Sequence, residues 1–379
     1  MELFGTKKKN IRINFWYLTA FSQKGGIETF NRTFIKALAN IQVIKPYSIR
    51  IFSVYDKNPD RRYISNLKWK GYGGHRIRFV IQALWQGLKC DVLIVGHIHL
   101  APIAIILKWL NPNCKVLLIA HGIEVWGLSD KYQKKLLQKT RLVLAVSNFT
   151  RSRLIEQQHL PAERIQIFPN CIDPYFPLPN SSKIMPSDLL KKHRLKANQK
   201  IILSVCRLSS KEQYKGYDRV IEALPFVVDK FADVVYILVG QYDTQELNRL
   251  LQLAEKFQVS DRLIITGFVS DNELAAYYQL ADLFILPSSG EGFGIVFLEA
   301  LAYGLPVIAY DSGGVRDALN GAKKCILLKS LHADIIAESC IWLLNESAEK
   351  CIDVKFTFDD FQGRLMNILS KVESEVRQE

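Results

Sequence analysis

The chain has 379 residues, which is enough for two domains of ordinary size, each with its own hydrophobic core. Its composition, 49% hydrophobic and 23% charged, is typical of a globular protein. No apolar run reaches the roughly 18 residues of a membrane span, because the best candidate, residues 92–107, contains His97 and His99 and is interrupted by Pro102.

The N-terminus and the cysteines indicate the compartment. The first ten residues lack the apolar segment of a signal peptide, so we expect no secretion. The seven cysteines are scattered without C-x-x-C spacing, which favours reduced thiols over disulfides or zinc sites. We therefore expect a cytoplasmic protein.

The net charge of +13 is unevenly distributed along the chain. Residues 1–180 contain 27 Lys and Arg against 10 Asp and Glu, a net of +17, whereas residues 181–379 contain 23 against 27, a net of −4. A basic first half would attract an anionic partner, such as the inner leaflet of a membrane or a lipid-linked phosphate. Nucleic acid is the weaker alternative, because no recognised nucleic-acid-binding motif accompanies the charge.

Strand-like runs alternate with helix-like segments along the chain, which predicts α/β domains with parallel sheets. The predicted strands of the first half are residues 11–18, 47–54, 91–95, 115–120 and 141–146, and those of the second half are 201–205, 234–239, 263–265, 281–286 and 306–309. The pattern lapses in the proline-rich segment 173–195, which is predicted to be a linker. We therefore expect two doubly wound domains, residues 1–178 and 195–357, with a ligand in the cleft between them.

Residues 287–304, P-S-S-G-E-G-F-G-I-V-F-L-E-A-L-A-Y-G, predict a turn between a strand and a helix. Unpaired amides at the start of such a helix suit a phosphate, and the flanking carboxylates of Glu291 and Glu299 can accept hydroxyl protons. The pattern suits a sugar nucleotide, with the amides at the diphosphate, Glu291 at the sugar and Glu299 at the ribose.

Two cations follow the strand that ends near Cys206. Arg207 and Lys215 could together clamp a diphosphate, since a guanidinium binds phosphate oxygens through a fork and an ammonium acts as a point charge. The alternative is a solvated basic loop. No D-x-D follows an apolar strand, so no obvious carboxylate pair would hold Mg²⁺ on the diphosphate.

Three features of the first half are candidates for the same site. Gly25 and Gly26 follow the first strand, where glycine permits a positive φ and close approach of a ligand, although they could form a simple turn. His121 ends a predicted strand, and Glu124 could orient its imidazole or an acceptor hydroxyl. A metal site at His97 and His99 is disfavoured, because no third ligand is evident.

Residues 61–89 mix cations with aromatic residues. A helix over residues 75–89 would bury Ile77, Val80, Ile81, Leu84 and Leu88 and leave Phe79 on its polar side. An exposed aromatic among cations suits a bilayer interface, although an ordinary solvated helix explains the pattern equally well. The residues proposed for contact with an anionic membrane surface are Arg61, Arg62, Lys68, Trp69, Arg76, Arg78, Phe79 and Lys89.

Taken together, these motifs resemble the retaining glycosyltransferases of family 4, which have the GT-B fold of two Rossmann-like domains facing across a cleft. The resemblance spans almost the whole chain. It rests on G-G-I-E at 25–28, H-G-I-E at 121–124, V-S at 146–147, P-N-C-I-D at 169–173, Arg207, K-G at 215–216, G-F-V-S-D at 267–271 and E-G-F-G-I-V-F-L-E-A at 291–300. Two departures are Cys206, where glycine is common, and a longer loop from Arg207 to Lys215.

The resemblance implies a role for each matching position. It implies that Arg207 and Lys215 hold the donor diphosphate and that Glu291 contacts the transferred sugar. Glu299 would bind the ribose, and Gly26 and His121 would close over the donor from the first domain. The remaining donor contacts would come from Gly25, Val269, Asp271, Phe293, Gly294 and Ile295, and a C-terminal helix near residues 358–379 would return to the first domain.

The implied activity is retaining transfer of a hexosyl unit from a UDP- or GDP-sugar to an acceptor hydroxyl, with no cofactor and no metal. The acceptor would be a glycan or a lipid-linked precursor, at the inner face of the cytoplasmic membrane. The alternatives are a nucleotide-sugar epimerase or hydrolase on the same fold, and a non-catalytic nucleotide-sugar-binding protein.

Overall fold

The computed structural model describes residues 10–179, 186–346, 352 and 355–378. The chain divides into two units, of which unit 1 comprises Met1–Asp173 and Thr357–Glu379 and unit 2 comprises Pro174–Phe356. Each unit contains one parallel sheet with helices between successive strands, which confirms the predicted α/β class. No helix in the described part of the chain is long and apolar enough to cross a bilayer.

Unit 1 is built on a parallel sheet. Its strands are β1 (Ile11–Tyr17), β2 (Tyr47–Ser53), β3 (Lys68–Gly71), β4 (Val92–Val95), β5 (Lys115–Ala120), β6 (Leu142–Ala145) and β7 (Ile165–Ile167). They lie in the order β3-β2-β1-β4-β5-β6-β7. Its first helices are α1 (Gly26–Ile44), α2 (Arg61–Ile64), α3 (Arg76–Gly87), α4 (Ala101–Leu110), α5 (Ile123–Trp126), α6 (Lys131–Lys139) and α7 (Asn148–Gln158).

Unit 2 repeats this plan. Its strands are β8 (Ile201–Val205), β9 (Val235–Val239), β10 (Leu263–Gly267), β11 (Leu283–Leu286), β12 (Val307–Tyr310) and β13 (Cys325–Leu328), in the order β10-β9-β8-β11-β12-β13. Its helices are α8 (Pro186–His193), α9 (Tyr217–Val228), α10 (Thr244–Lys256), α11 (Asp271–Leu280), α12 (Ile295–Ala302), α13 (Val315–Ala318) and α14 (Ala333–Asn345). The central strands β8 and β9 are buried along their whole length, as expected when helices cover both faces of a parallel sheet.

Helix α15 (Phe358–Gln378) follows unit 2 in the chain but belongs to unit 1. It packs against α1, where Phe361 is fully buried and its ring lies 5.6 Å from that of Phe30 and 4.5 Å from that of Phe168. At its other end the Tyr47 hydroxyl donates a hydrogen bond of 2.8 Å to Glu373. These contacts make the last helix part of the core of unit 1.

Several secondary-structure predictions were wrong in detail. The strands β3, β7 and β13 were missed, because they have only three or four residues and β3 is an edge strand of exposed lysines. The predicted linker 173–195 contains helix α8, which is held to α11 by a Lys192–Glu273 ion pair of 2.5 Å and a His193–Tyr277 hydrogen bond. Residues 180–185 of that segment lie outside the described residues.

The buried face of α3 agrees with the predicted one only at Val80 and Leu84, which are half-buried and pack against the core. Phe79, predicted to be exposed, is buried and packs edge-on against Trp16 and Tyr72. Ile77 and Ile81, predicted to be buried, are 77% and 60% exposed. The helix has two apolar stripes, of which the one with Phe79 also contains Gly87. A Cβ added to Gly87 would lie 2.5 Å from Leu107 of α4, so only the face with glycine can approach α4 so closely. The Phe79 stripe is therefore the buried one.

This assignment predicts unequal losses of stability in two alanine variants of α3. Phe79→Ala should lower the free energy of unfolding by about 3–5 kcal/mol, because it leaves a cavity beside Trp16. Ile77→Ala should change it by less than about 0.5 kcal/mol, because the side chain is in solvent. Denaturant titration of unit 1 fluorescence would measure both, and a larger loss for Ile77→Ala would show that the face is assigned wrongly.

Candidate active site

Strands β8 and β11 are neighbours in the sheet of unit 2, although three helices and two strands separate them in sequence. Leu283 pairs with Ile202, and both strands run in the same direction. The strand order reverses between them, because the chain continues from β8 to one side of the sheet and from β11 to the other. Such a reversal leaves a crevice beyond the carboxyl ends of the strands, where ligands of doubly wound sheets bind.

The segment that follows β8 is fastened to the one that follows β11. A short 3₁₀ turn ends at Gly216, which has a φ of +74° and lies so close to the other segment that an added Cβ would be 2.4 Å from the Pro287 carbonyl oxygen. The Ser289 amide donates a hydrogen bond of 2.8 Å to the Tyr214 carbonyl. Glycine at 216 is therefore required both by its backbone conformation and by this close approach.

This fastening brings Lys215 and Glu291 together. The Lys215 Nζ lies 2.7 Å from the Glu291 Oε1, and only 17% and 11% of their side chains are exposed. Burial alone would lower the pKa of Lys215, but the Glu291 carboxylate outweighs it and raises that pKa. Lys215 is therefore a permanently charged ammonium at the sheet edge.

Arg207, the other predicted cation, has a different partner. Its guanidinium forms an ion pair with Glu212, with an Nε to Oε2 distance of 3.2 Å, and 58% of its side chain is exposed. The two cations predicted to act as one clamp are thus each paired with a separate carboxylate.

Helix α12 begins directly beyond Glu291. Gly294 precedes it with a φ of +94°, and an added Cβ would lie 2.5 Å from the Phe297 ring, so this position also requires glycine. Phe293 is buried, with its ring 5.3 Å from that of Phe356. The first amides of the helix accordingly begin next to the Lys215–Glu291 pair.

Glu299 lies on the second turn of α12 and is 93% buried, since 7% of it is exposed. The hydroxyl of Tyr278, from α11, donates a hydrogen bond of 2.8 Å to its Oε2. Burial, and then the Glu299 carboxylate, raises the pKa of Tyr278, so the hydroxyl keeps its proton. Tyr278 also stacks on Tyr303, with ring centroids 5.7 Å apart. Sequence reasoning missed Tyr278, because its position on α11 looks like an ordinary core position.

The other predicted donor residues of unit 2 lie at helix starts. Val269 and Ile295 are 8% and 5% exposed, so each retains a small accessible apolar surface. Asp271 is the first residue of α11, which is capped by the Ser270 hydroxyl.

In unit 1, His121 follows β5 and is 8% exposed. Its Nε2 lies 2.8 Å from the Gly96 carbonyl oxygen, which can only accept, so Nε2 carries the proton and Nδ1 is the acceptor. Burial lowers the pKa of His121 to about 4, although the bond to Gly96 opposes it. His121 is therefore a neutral imidazole at physiological pH.

Glu124 is joined to His121 through the backbone. Its Oε1 accepts a hydrogen bond of 2.6 Å from the His121 amide. Burial raises the pKa of Glu124 to about 7, with the amides of residues 124, 121 and 122 opposing the shift. The Glu124 carboxyl therefore keeps its proton to a higher pH than an exposed glutamate does.

The glycine pair after β1 does not use the positive φ that glycine permits. Gly25 has a φ of 173°, which is ordinary extended backbone, and Gly26 is not among the residues with positive φ. What distinguishes Gly26 is space, because an added Cβ would have no neighbour within 4 Å. Gly26 therefore leaves room beside the backbone at the start of α1, whereas a Cβ added to Gly25 would lie 2.5 Å from the Glu28 carboxylate.

The predicted membrane residues have varied surroundings. Trp69 donates a hydrogen bond of 2.9 Å to the Tyr17 hydroxyl, Arg62 pairs with Asp60, and Arg76 donates to the Tyr55 hydroxyl. The residues Arg61, Lys68, Arg78 and Lys89 are exposed, whereas Phe79 is buried. The rings of His97 and His99 are in tilted contact, with centroids 4.5 Å apart, and within the described ranges no three His, Cys, Asp or Glu side chains are grouped as a metal site would require.

Two family models match the chain in succession. Residues 24–176 match Glycosyltransferase Family 4, and residues 187–355 match Glycosyl transferases group 1. A GDP-mannose-dependent alpha-(1-6)-phosphatidylinositol monomannoside mannosyltransferase of Mycobacterium tuberculosis is 32% identical over 61% of this chain and 60% of its own length. An alpha-monoglucosyldiacylglycerol synthase of Streptococcus pneumoniae is 34% identical over 33% of this chain and 27% of its own length. The chain thus matches about three fifths, or less, of these relatives.

Solved structures share the fold over nearly the full length. Anabaena HepE in complex with UDP-glucose has a TM-score of 0.76 at 18% identity, over 96% of this chain and 100% of that one. A glycosyltransferase from Rickettsia africae has a TM-score of 0.76 at 19% identity, over 96% and 98%. Because consecutive family models match the two sheet-containing parts and the fold agrees with these structures, the chain belongs to glycosyltransferase family 4 and has the GT-B fold.

Proposed function

We propose that this glycosyltransferase moves a hexosyl unit from a UDP- or GDP-sugar to a hydroxyl of a glycan or lipid-linked acceptor, with retention at the anomeric carbon and without a metal or cofactor. The observation that carries the proposal is the Lys215–Glu291 pair at the start of α12. The names of the relatives support the donor class, since one uses GDP-mannose and one solved structure holds UDP-glucose.

Departure of the nucleotide diphosphate is the step that most needs the protein, because negative charge develops on phosphate oxygens as the bond to the sugar breaks. Lys215 stays protonated, and α12, which begins four residues beyond Glu291, adds the positive end of its helix dipole. In the proposal Arg207 adds a fork of donors by exchanging Glu212 for the diphosphate. These groups would stabilise the negative charge on the leaving diphosphate, as a metal ion does in other transferases.

Glu291 is proposed to orient the sugar, not to attack it. Its carboxylate already shares its charge with Lys215 at 2.7 Å, which weakens it as a nucleophile. Retention is then achieved if the acceptor hydroxyl approaches on the face that the diphosphate leaves, with the departing phosphate oxygen accepting the hydroxyl proton.

Glu299 is proposed to bind the ribose hydroxyls, with Tyr278 as its positioning residue. Val269 and Ile295 would flank the base and Asp271 would lie near it, while Phe293 and Gly294 would supply amides. In unit 1, the Nδ1 of neutral His121 is suited to accept a hydrogen bond from a substrate hydroxyl.

Two alternatives to a transferase can be tested. An epimerase or hydrolase would convert the donor in the absence of an acceptor, so incubation of the protein with donor alone distinguishes these enzymes from a transferase. A non-catalytic binding protein would show thermal stabilisation by a nucleotide sugar without turnover. A screen of UDP- and GDP-sugars for stabilisation identifies the donor, because a ligand that binds the folded state raises the melting temperature.

Removal of the cations should test the leaving-group role. Lys215→Ala should lower kcat/KM by about 10²–10³-fold, because it removes a charge that stabilises the transition state. Arg207→Ala should also lose most activity, whereas Lys211→Ala, in the same loop and exposed, should be near wild type. Steady-state kinetics measure all three, with the melting temperature as a check of folding, and near-normal turnover of Lys215→Ala would contradict the proposal.

The role of Tyr278 can be tested without disturbing the core. Tyr278→Phe keeps the stacked ring but removes the hydrogen bond to Glu299, so the KM for the donor should rise about fivefold, equivalent to about 1 kcal/mol, with kcat unchanged. Tyr277→Phe is the matched control, since that hydroxyl bonds to His193. An equal change in the two variants would indicate a purely structural effect.

The raised pKa of Glu124 predicts a pH-dependent difference in stability. Between its ordinary value of 4.5 and about 7, the unfolded carboxyl releases its proton while the folded one keeps it, so wild-type stability falls as pH rises. Glu124→Gln retains an acceptor for the His121 amide but does not titrate. Urea unfolding should show this variant gaining stability relative to wild type from pH 4.5 to 7, unlike the exposed control Glu156→Gln, and a constant difference would refute the shift.

A further inference from the structure

Helices α3 and α4 of unit 1 carry large apolar side chains in solvent. Trp85 is 67% exposed and Trp109 is 77% exposed. On α3 the exposed apolar residues recur at helical spacing along one stripe. The α3–α4 surface is defined by Ile77, Ile81, Trp85 and Leu88 on the first helix and its end, and by Ile106, Trp109 and Leu110 on the second.

The last turns of the two helices pack against each other through their buried faces. Gly87 lies against Leu107, and the Asn111 Nδ2 donates to the carbonyls of Gly87 and Cys90 at 3.1 and 2.9 Å. These contacts fix the last turn of α3 beside the last turn of α4. Trp85 and Trp109 therefore lie at neighbouring helix ends, on a rigid part of the unit.

The sequence that contains this surface is strongly basic. From Arg61 to Ile123 the chain contains nine Lys and Arg and one acidic residue, Asp91. Asp91 is engaged by Arg12, with an Nη2 to Oδ1 distance of 2.8 Å. Arg78 and Lys89, at the two ends of α3, are exposed. An apolar centre with tryptophans and a basic surround matches a bilayer of anionic lipids, where tryptophan favours the headgroup level.

We propose that the α3–α4 surface is a membrane-docking site that inserts Trp85 and Trp109 into the interface of an anionic bilayer. A second copy of the chain fits less well, because a symmetric contact would place the two basic surrounds against each other.

Co-sedimentation with vesicles tests the proposal in the absence of donor and acceptor, so its failure leaves the proposed transfer reaction untouched. The full chain should bind phosphatidylglycerol-rich vesicles, and bind phosphatidylcholine vesicles at least tenfold more weakly. The double variant Trp85→Ser/Trp109→Ser should lose at least tenfold in affinity for the anionic vesicles. Trp342→Ser is the matched control, since Trp342 is 55% exposed on α14 of unit 2.

Circular dichroism and melting temperature verify that the variants are folded. Absence of binding by the wild-type chain, unchanged binding by the double variant, or an equal loss in Trp342→Ser would each overturn the proposal. Analytical ultracentrifugation tests whether a second copy of the chain covers the surface instead. A wild-type dimer together with a monomeric double variant would show that it does. A wild-type monomer with vesicle binding that depends on the two tryptophans supports the proposal.

Discussion

The candidate site depends on the adjacency of β8 and β11 in the sheet of unit 2. Lys215 and Glu291 are 76 positions apart in sequence, yet their side chains are 2.7 Å apart. This is possible because the chain first builds β9 and β10 on one side of β8 and then returns to place β11 on the other. The cation and the carboxylate both follow from that return, since parallel neighbours end at the same edge.

The ion pair also explains how the charged groups of Lys215 and Glu291 can both be largely buried before a substrate binds. Each neutralises the other, which reduces the cost of removing them from water. In the proposed reaction the donor diphosphate shares the ammonium with Glu291, while the carboxylate gains sugar hydroxyls as partners. Most of the geometry needed at that moment already exists, because Gly216, Tyr214 and Ser289 hold the two segments together.

The sequence predicted the α/β class, most strands and the family, because hydrophobic runs and glycine-containing motifs are local signals. The prediction of the buried face failed on α3, because this helix has two apolar stripes, one with Ile77 and one with Phe79. Only the packing of Gly87 on Leu107 determines which stripe is buried. The pairing of Arg207 with Glu212 was not predicted either, because it depends on how the loop folds, which residue spacing does not determine. Tyr278 was missed for a related reason, since only the tertiary structure shows that its hydroxyl reaches Glu299.

The position of α15 has a consequence for synthesis. Phe30, Phe34 and Phe168 of unit 1 surround Phe361, which is translated only after all of unit 2. On the ribosome, unit 1 therefore has an unfilled aromatic groove along α1 until Phe361 has been made, after all of unit 2. Domains usually fold in the order in which they are made. Here unit 2 can fold as an uninterrupted segment, whereas unit 1 completes its core only after unit 2, although β1–β7 are made before it.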